Sequence, residues 1–205
     1  NYSVIKNGTG KLTLSGNNTY TGATTVNAGT LSAASSGALG SSASGTTVAN
    51  GAALELQGNI ALAEAVSLSG TGVSGTGALR NLSGSNAVTG LVTMTGDTKI
   101  QSDAGSLTLM PALGNAISGN YALTFDGAGT TSVGALGIAG AGTFTKAGAG
   151  RLNLVSANTF SGGISVGYLY SARNKTITSD EGKKKAKDDF ELEKWKLSYV
   201  AELSL

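Results

Sequence analysis

Two acidic side chains are the best candidates for catalytic chemistry in this chain of 205 residues. Asp103 and Asp126 are well separated in sequence, and only a coiled chain would bring them together. Two carboxyl groups held about 5–10 Å apart can cleave a glycosidic bond. No histidine is present, and Arg80 and Arg151 are the only arginines before residue 168, so no cluster of acid, base and cation is evident. We therefore predict that the chain is not an enzyme, with a polysaccharide lyase or hydrolase as the least favoured alternative.

Metal and cofactor chemistry have equally little support. Without histidine or cysteine, the chain lacks the usual ligands of zinc and haem. The segment Asp126-Gly127-Ala128-Gly129 is the nearest approach to a calcium-binding Gly-rich repeat and does not match it. The formal net charge of +2 gives no reason to expect nucleic-acid binding. We predict no metal, no cofactor and no nucleic-acid partner.

A motif occurs twice in the chain, with its copies 140 positions apart (148 − 8 = 140). The first copy consists of Gly8, Gly10, Leu12, Leu14, Asn18, Thr19, Tyr20, Gly22 and Val26. The second copy consists of Gly148, Gly150, Leu152, Leu154, Asn158, Thr159, Phe160, Gly162 and Val166. Lys6 and Lys146 extend the match upstream, and no gap is needed. A fixed internal period indicates a repetitive architecture.

The motif resembles the passenger-associated transport repeat of bacterial autotransporters, also called the autotransporter-associated β-strand repeat. The first copy keeps the closing Gly29-Thr30-Leu31 of that family, whereas the second departs from it at Tyr168-Leu169-Tyr170. The resemblance implies a right-handed parallel β-helix, an extracellular or cell-surface location, and repeats that aid export. It also implies export through an outer-membrane translocator that is not present in this chain.

We expect the repeated positions to have structural roles. Four leucines should point inward: Leu12, Leu14, Leu152 and Leu154. Four glycines should adopt positive φ or allow close approach between turns: Gly8, Gly10, Gly148 and Gly150. Two asparagines should bond backbone groups at turns or stack into a ladder: Asn18 and Asn158. Two aromatic side chains should cover the end of a turn: Tyr20 and Phe160.

Short runs of alternating polar and apolar residues predict β-strands. Lys11-Leu12-Thr13-Leu14, Ala53-Leu54-Glu55-Leu56 and Ser106-Leu107-Thr108-Leu109 are examples, and glycine-rich clusters separate such runs. The fold is therefore predicted to be all-β. A sandwich would need more aromatic core residues, whereas the narrow interior of a parallel β-helix needs few. At roughly 20–25 residues per turn, residues 1–167 should form about seven turns.

Threonine pairs occur in the same region. Thr24-Thr25, Thr46-Thr47 and Thr130-Thr131 lie at uneven intervals. Ice-binding faces require threonine side chains in regular rows on a flat sheet, so these intervals count against such a face.

Charge divides the chain near Gly167. Of the charged side chains, eleven lie in residues 1–167 and fifteen in residues 168–205. The predicted domains are a β-helix over 1–167 and a charged C-terminal tail over 168–205. Alternating apolar residues from Trp195 to Leu205 allow the tail to form a β-hairpin that caps the solenoid, and a fused or loosely packed segment is the alternative. No signal peptide is visible at Asn1-Tyr2-Ser3, so we expect a mature product or an excised segment.

The sequence favours a structural protein, either a rigid stalk or a scaffold for adhesion at the bacterial surface. A module that binds a glycan or a host receptor is the alternative. The expected partners are other copies of the chain, joined end to end or in fibres, and a surface ligand. Because the motif recurs after 140 positions, the parent protein is expected to repeat this block in tandem.

Overall fold

The chain forms a parallel β-solenoid, in which each turn stacks on the one before it. The structure is a computed structural model that describes residues 2–134 and 137–166. All the strand pairs among these residues are parallel, and the strands lie in three stacks that we name A, B and C. The predicted all-β parallel β-helix is thus confirmed. The proposed hairpin in residues 168–205 lies outside the described residues.

Each stack is a ladder of short strands from successive turns. Stack A contains Val4–Lys6, Thr24–Val26, Thr46–Val48, Val66–Gly70, the first part of Val92–Ser102, Ile117–Ser118, Ile138–Gly140 and Thr159–Phe160. Stack B contains Lys11–Leu14, Thr30–Ala33, Ala53–Gln57, Leu79–Ser83, the last part of Val92–Ser102, Leu123–Asp126, Phe144–Lys146 and Ile164–Val166. Stack C contains Ala61–Leu62, Ser85–Val88, Ser106–Leu109, Thr130–Val133 and Leu152–Leu154. A single 3-10 turn, Val73–Gly75, is the only helical element among the described residues.

The described residues make eight turns, one more than expected. Stack A contains a strand from each turn. The turns are short near both ends, where hydrogen bonds join Asn27 to Asn7 and Ile138 to Asn158, each pair 20 positions apart. They are longer in the middle, where Arg80 contacts Glu55 across 25 positions. Shorter terminal turns account for the additional one.

The core lies inside the three stacks and is built by residues in register. On stack B, aliphatic side chains and one phenylalanine pair from turn to turn, and all are at most 1% exposed: Leu31, Leu54, Leu79, Ile100 and Phe125. The alternation of the strands places their other side chains outside. Because strands in a ladder lie about 4.8 Å apart, identical small or branched side chains stack without gaps.

Candidate functional site

The two copies of the repeat lie on different stacks. Lys6 ends a strand of stack A, whereas Lys146, at the equivalent repeat position, ends a strand of stack B. Leu12 likewise lies on stack B and Leu152 on stack C. The second copy is therefore advanced by one stack around the solenoid axis relative to the first.

Both lysines of the repeat donate to carbonyl groups of glycine-containing loops: Lys146 to its own loop, and Lys6 to its own loop and to that of the next turn. The Lys6 ammonium donates to the Ala28 carbonyl at 3.0 Å and also to that of Gly8. The Lys146 ammonium donates to the Gly148 carbonyl at 2.9 Å and also to that of Ala147. Burial lowers the pKa of Lys146, while the charge of Asp126 opposes that shift. A lysine at this repeat position donates hydrogen bonds to loop carbonyl groups that have no backbone partner.

The glycines of the two copies differ in their surroundings. A Cβ on Gly148, which has φ +67°, would lie 2.5 Å from Asp126 Oδ1, and one on Gly150 would lie 2.0 Å from the Gly129 carbonyl oxygen. Gly8 and Gly10 have no positive φ, and a Cβ on either would have nothing within 4 Å. The structure thus departs from the expected role of these two residues. They lie in the first described turn, where no earlier turn packs against them.

The close contact to the first loop is made instead by Gly29. It has φ +67°, and its added Cβ would lie 2.5 Å from each of the carbonyl oxygens of Gly8, Thr9 and Gly10. Only glycine combines this backbone conformation with this approach. The closing glycine of the repeat therefore allows the second turn to stack on the first.

Replacing Gly29 with alanine is expected to lower the free energy of unfolding by about 3–4 kcal/mol, because positive φ and overpacking both act. Gly51 is the matched control, since it has φ +83° but an added Cβ would have nothing within 4 Å. Gly51→Ala should cost only about 1–2 kcal/mol. Denaturant unfolding of both variants measures the difference. Equal losses would show that the carbonyl contacts of Gly29 are unimportant.

The asparagines of the repeat each connect two adjacent turns. Asn18 Nδ2 donates to the Ala38 carbonyl at 2.6 Å, in the turn that follows. Asn158 Oδ1 accepts from the Ile138 amide at 3.0 Å, in the turn that precedes. These side-chain contacts join adjacent turns at corners of the solenoid, and at Asn18 the backbone amide adds a bond to the Gly37 carbonyl at 2.9 Å.

The aromatic positions of the repeat make different contacts. The Tyr20 hydroxyl lies 2.7 Å from Thr24 Oγ1. Phe160 stacks on Phe144, with ring centroids 5.3 Å apart and an interplanar angle of 11°. Both aromatic side chains of the repeat are half-buried, and Phe160 packs against the core.

The burial of the other repeat positions depends on their place at the ends of the described solenoid. Leu14, Leu152 and Leu154 are half-buried and pack against the core, whereas Leu12 is 38% exposed. Its partner in the next turn, Leu31, is fully buried. The other members of the repeat range from buried to exposed: Val26 is buried, Gly22 and Gly162 are half-buried, and Thr19, Thr159 and Val166 are exposed.

A cluster of charged side chains lies on the outer face of stack B. Arg80 contacts Glu55 at 2.9 Å, and its Nε donates to Asp103 Oδ2 at 2.7 Å. Lys11 also pairs with Glu55, which is only 4% exposed. Gln101 Nε2 donates to Asp103 Oδ1 at 2.6 Å. Although burial lowers the pKa of Arg80, hydrogen bonds and charge from Asp103 and Glu55 raise it above its ordinary value.

The two acids considered for catalysis are both held in ion pairs. Asp103 binds Arg80, and Asp126 pairs with Lys99 at 2.5 Å. The hydrogen bond from Lys99 lowers the pKa of Asp126, which keeps this carboxyl group ionised. A general acid for glycoside cleavage needs a raised pKa. The ion pairs of Asp103 and Asp126 therefore fit a role in joining adjacent turns better than a role in acid catalysis.

A buried carboxyl group lies at another place in the solenoid. Glu64 is 3% exposed, and its burial raises its pKa to about 7. The neighbouring Thr46 hydroxyl lowers this pKa by less than burial raises it. Among the described residues, neither Glu64 Oε1 nor Thr46 Oγ1 has a partner at hydrogen-bonding distance. The pKa of Tyr20 is also raised, mainly by burial and to a lesser degree by the charge of Glu64. Sequence patterns gave no sign of this group.

The described residues offer neither a metal-binding cluster nor a membrane-spanning helix. Over 2–134 and 137–166, no group of three or more histidine, cysteine, aspartate or glutamate side chains is placed to hold a metal ion. No helix in this part of the chain has the length and apolar character to cross a membrane.

Comparison with known proteins finds similarity to a repeat family and to one relative. Residues 4–33 and 144–167 match the passenger-associated-transport-repeat family. Over 93 residues, or 45% of this chain, the sequence is 42% identical to the adhesin BmaC autotransporter of Brucella suis biovar 1. The matched region is 2% of the length of that relative. No solved structure matches the chain.

Proposed function

We propose that residues 1–167 form a rigid structural segment of an autotransporter passenger. The premise is that this chain carries passenger-associated transport repeats and lies at the bacterial cell surface or outside it. The segment acts as a stalk or scaffold that holds other parts of the passenger away from the membrane. Export through an outer-membrane translocator precedes folding. The similarity to an adhesin autotransporter supports a structural or adhesive role over an enzymatic one.

The continuous pairing of the eight turns carries this proposal. Strands of successive turns are joined by parallel ladders in stacks A and B throughout, and stack C adds a third ladder from Ala61–Leu62 onward. The core is continuous through these turns. In such a solenoid each turn is held by its two neighbours, so bending requires breaking several ladder bonds together.

Distance measurements between spin labels test the rigidity. The chain has no cysteine, so cysteines introduced at Thr13 and Thr145 would be the only labelling sites. These residues lie in the first and seventh turns of stack B, six steps of about 4.8 Å apart, or about 29 Å between backbones. We expect one narrow distance distribution near this value. A broad distribution would contradict a rigid stalk.

The repeats are proposed to aid export through stepwise folding outside the cell. This role can be tested with the chain displayed through a heterologous translocator, by comparing surface amounts of the parent, Gly29→Ala and Gly51→Ala. If stacking of the second turn on the first assists export, Gly29→Ala should lower the surface amount, whereas Gly51→Ala should not. Equal surface amounts for all three would contradict the export role.

Ligand binding is the second candidate function, favoured by the similarity to an adhesin autotransporter. A glycan array probed with the full chain tests it. Specific hits would support an adhesive module, and the absence of hits would leave the structural role as the better account.

A further inference from the structure

The buried carboxyl group of Glu64 lies at the level where the solenoid changes its cross-section. When turns are counted by their stack A strands, stack C begins in the third turn with Ala61–Leu62, just before Glu64 in the chain. The side chains of Ala63 and Ala65 are exposed, whereas Glu64 between them is buried. Glu64 therefore points into the interior, at the corner that leads from stack C to stack A.

Hydroxyl groups line the interior beside this carboxyl group. Thr24 and Thr46 pair in register on stack A, and both are buried. The Tyr20 hydroxyl lies 2.7 Å from Thr24 Oγ1. The Thr46 hydroxyl is close enough to Glu64 to lower its pKa, although neither Thr46 Oγ1 nor Glu64 Oε1 has a hydrogen-bond partner among the described residues. We name these four side chains, which belong to the first three turns, the junction cluster.

No positive charge among the described residues faces Glu64, and no charged group contributes to the shift of its pKa. The strands of stack A next to it carry no charged residue: Thr24–Val26, Thr46–Val48 and Val66–Gly70. Tyr20 is the titratable group whose pKa the charge of Glu64 raises. Lys6, which also lies on stack A, donates instead to loop carbonyl groups. An ionised Glu64 is thus a buried carboxylate without a cation to pair with it.

The seam between the second and third turns is held by two ladders. Thr24–Val26 pairs with Thr46–Val48 on stack A, and Thr30–Ala33 pairs with Ala53–Gln57 on stack B. The third and fourth turns are joined by these two stacks and also by stack C. Separating the second turn from the third therefore breaks fewer ladder bonds. Thr46 of the junction cluster lies on this seam.

We propose that the junction cluster is a pH-sensitive switch, in which protonated Glu64 keeps the second turn on the third and ionised Glu64 opens the seam between them. The protonated carboxyl group can both donate and accept a hydrogen bond, as its hydroxyl neighbours do. The carboxylate can only accept, and because no cation faces it, its ionisation favours entry of water. Opening of the seam admits that water.

The open seam has a consequence for binding. It exposes the edges of Thr46–Val48 and Ala53–Gln57, and unpaired strand edges can pair with another strand. The turns from the third onward keep their ladders. The raised pKa of Glu64 places the change between pH 5 and pH 8, with the closed form favoured at the lower pH.

Amide hydrogen exchange of the full chain at pH 5 and pH 8 tests the proposal. The reporters are the amides of Ala49 and Ala53, which donate across the seam to the Val26 and Gly29 carbonyl groups at 2.9 and 3.0 Å. After correction for the intrinsic pH dependence of exchange, their protection should fall roughly 50-fold from pH 5 to pH 8.

The control amides are those of Met110 and Gly134, which donate to carbonyl groups across later seams. They should keep the higher protection that global unfolding sets at each pH. In Glu64→Gln, the protection of Ala49 and Ala53 should be the same at both pH values, because the titrating group is gone. Equal protection of reporter and control amides at pH 8 would overturn the proposal, since the solenoid would then open only as a whole. A fall that persists in Glu64→Gln would also overturn it.

A disulfide across the seam gives an independent result. Thr25 and Thr47 pair in register on the outer face of stack A, so oxidised Thr25→Cys/Thr47→Cys would tie the second turn to the third. This variant should lose most of the pH dependence at the reporter amides. The matched control Thr108→Cys/Ser132→Cys ties the fifth turn to the sixth and should open as the parent does. A tied seam that opens like that of the parent would contradict the switch.

Discussion

Replacing Arg80 with alanine is expected to lower the free energy of unfolding by about 3–5 kcal/mol, because it leaves a buried carboxylate without its main partner. Glu55 is 4% exposed and lies between Arg80 and Lys11, while Arg80 also binds Asp103 in the next turn. Loss of the guanidinium therefore affects three turns at once. Denaturant unfolding of the full chain measures the effect.

Arg151 provides the matched control, since it is an exposed arginine on the same solenoid. Arg151→Ala should change the free energy of unfolding by less than about 1 kcal/mol. A double variant, Glu55→Ala/Arg80→Ala, should be more stable than Arg80→Ala alone, because it also removes the buried carboxylate that has lost its main partner. If Arg80→Ala were as mild as Arg151→Ala, the ion-pair cluster would not be a stabilising element.

The second large effect concerns pH. Because folding raises the pKa of Glu64 from 4.5 to about 7, the folded state binds this proton more tightly than the unfolded state. The stabilisation is complete below pH 4.5 and is lost as the pH rises through 7. A shift of this size corresponds to about 3 kcal/mol. The fold should therefore be more stable at pH 5 than at pH 8.

The variant Glu64→Gln isolates this contribution from all other titrating groups. It should unfold at a higher denaturant concentration than the parent at pH 8 and at a similar concentration at pH 5. The Asp126 carboxyl group, whose pKa is lowered, contributes below this window and is common to both proteins. Parallel pH profiles for the parent and the variant would contradict the assignment to Glu64.

The sequence predicted the strands well, because alternation is a local signal. Lys11–Leu14, Ala53–Gln57 and Ser106–Leu109 all lie in strands where the alternation placed them. The parallel solenoid followed from the repeat and from the scarcity of aromatic residues. A shift of a strand by one residue would turn its core side chains to the outer face. The positions of the leucines in each strand therefore determine the register.

Contacts between turns could not be predicted, because loop lengths vary from turn to turn. The partners Arg80 and Glu55 are separated by 25 positions, whereas Arg80 and Asp103 are separated by 23. The same variation concealed the alignment of Thr25 with Thr47. For Gly8 and Gly10 the motif identified the correct loop but not the residue that contacts it, Gly29, since the contact is made by the next turn.

The one-stack advance between the copies of the repeat has a geometric consequence for a longer parent protein. In a tandem array of this block, equivalent side chains would rotate by a third of a circle per block and return to the same side after three. A charged face such as the outer face of stack B on one block would point in a different direction on the next. Such a fibre would present each of its faces along a spiral, so that no side of the fibre would carry one kind of surface throughout.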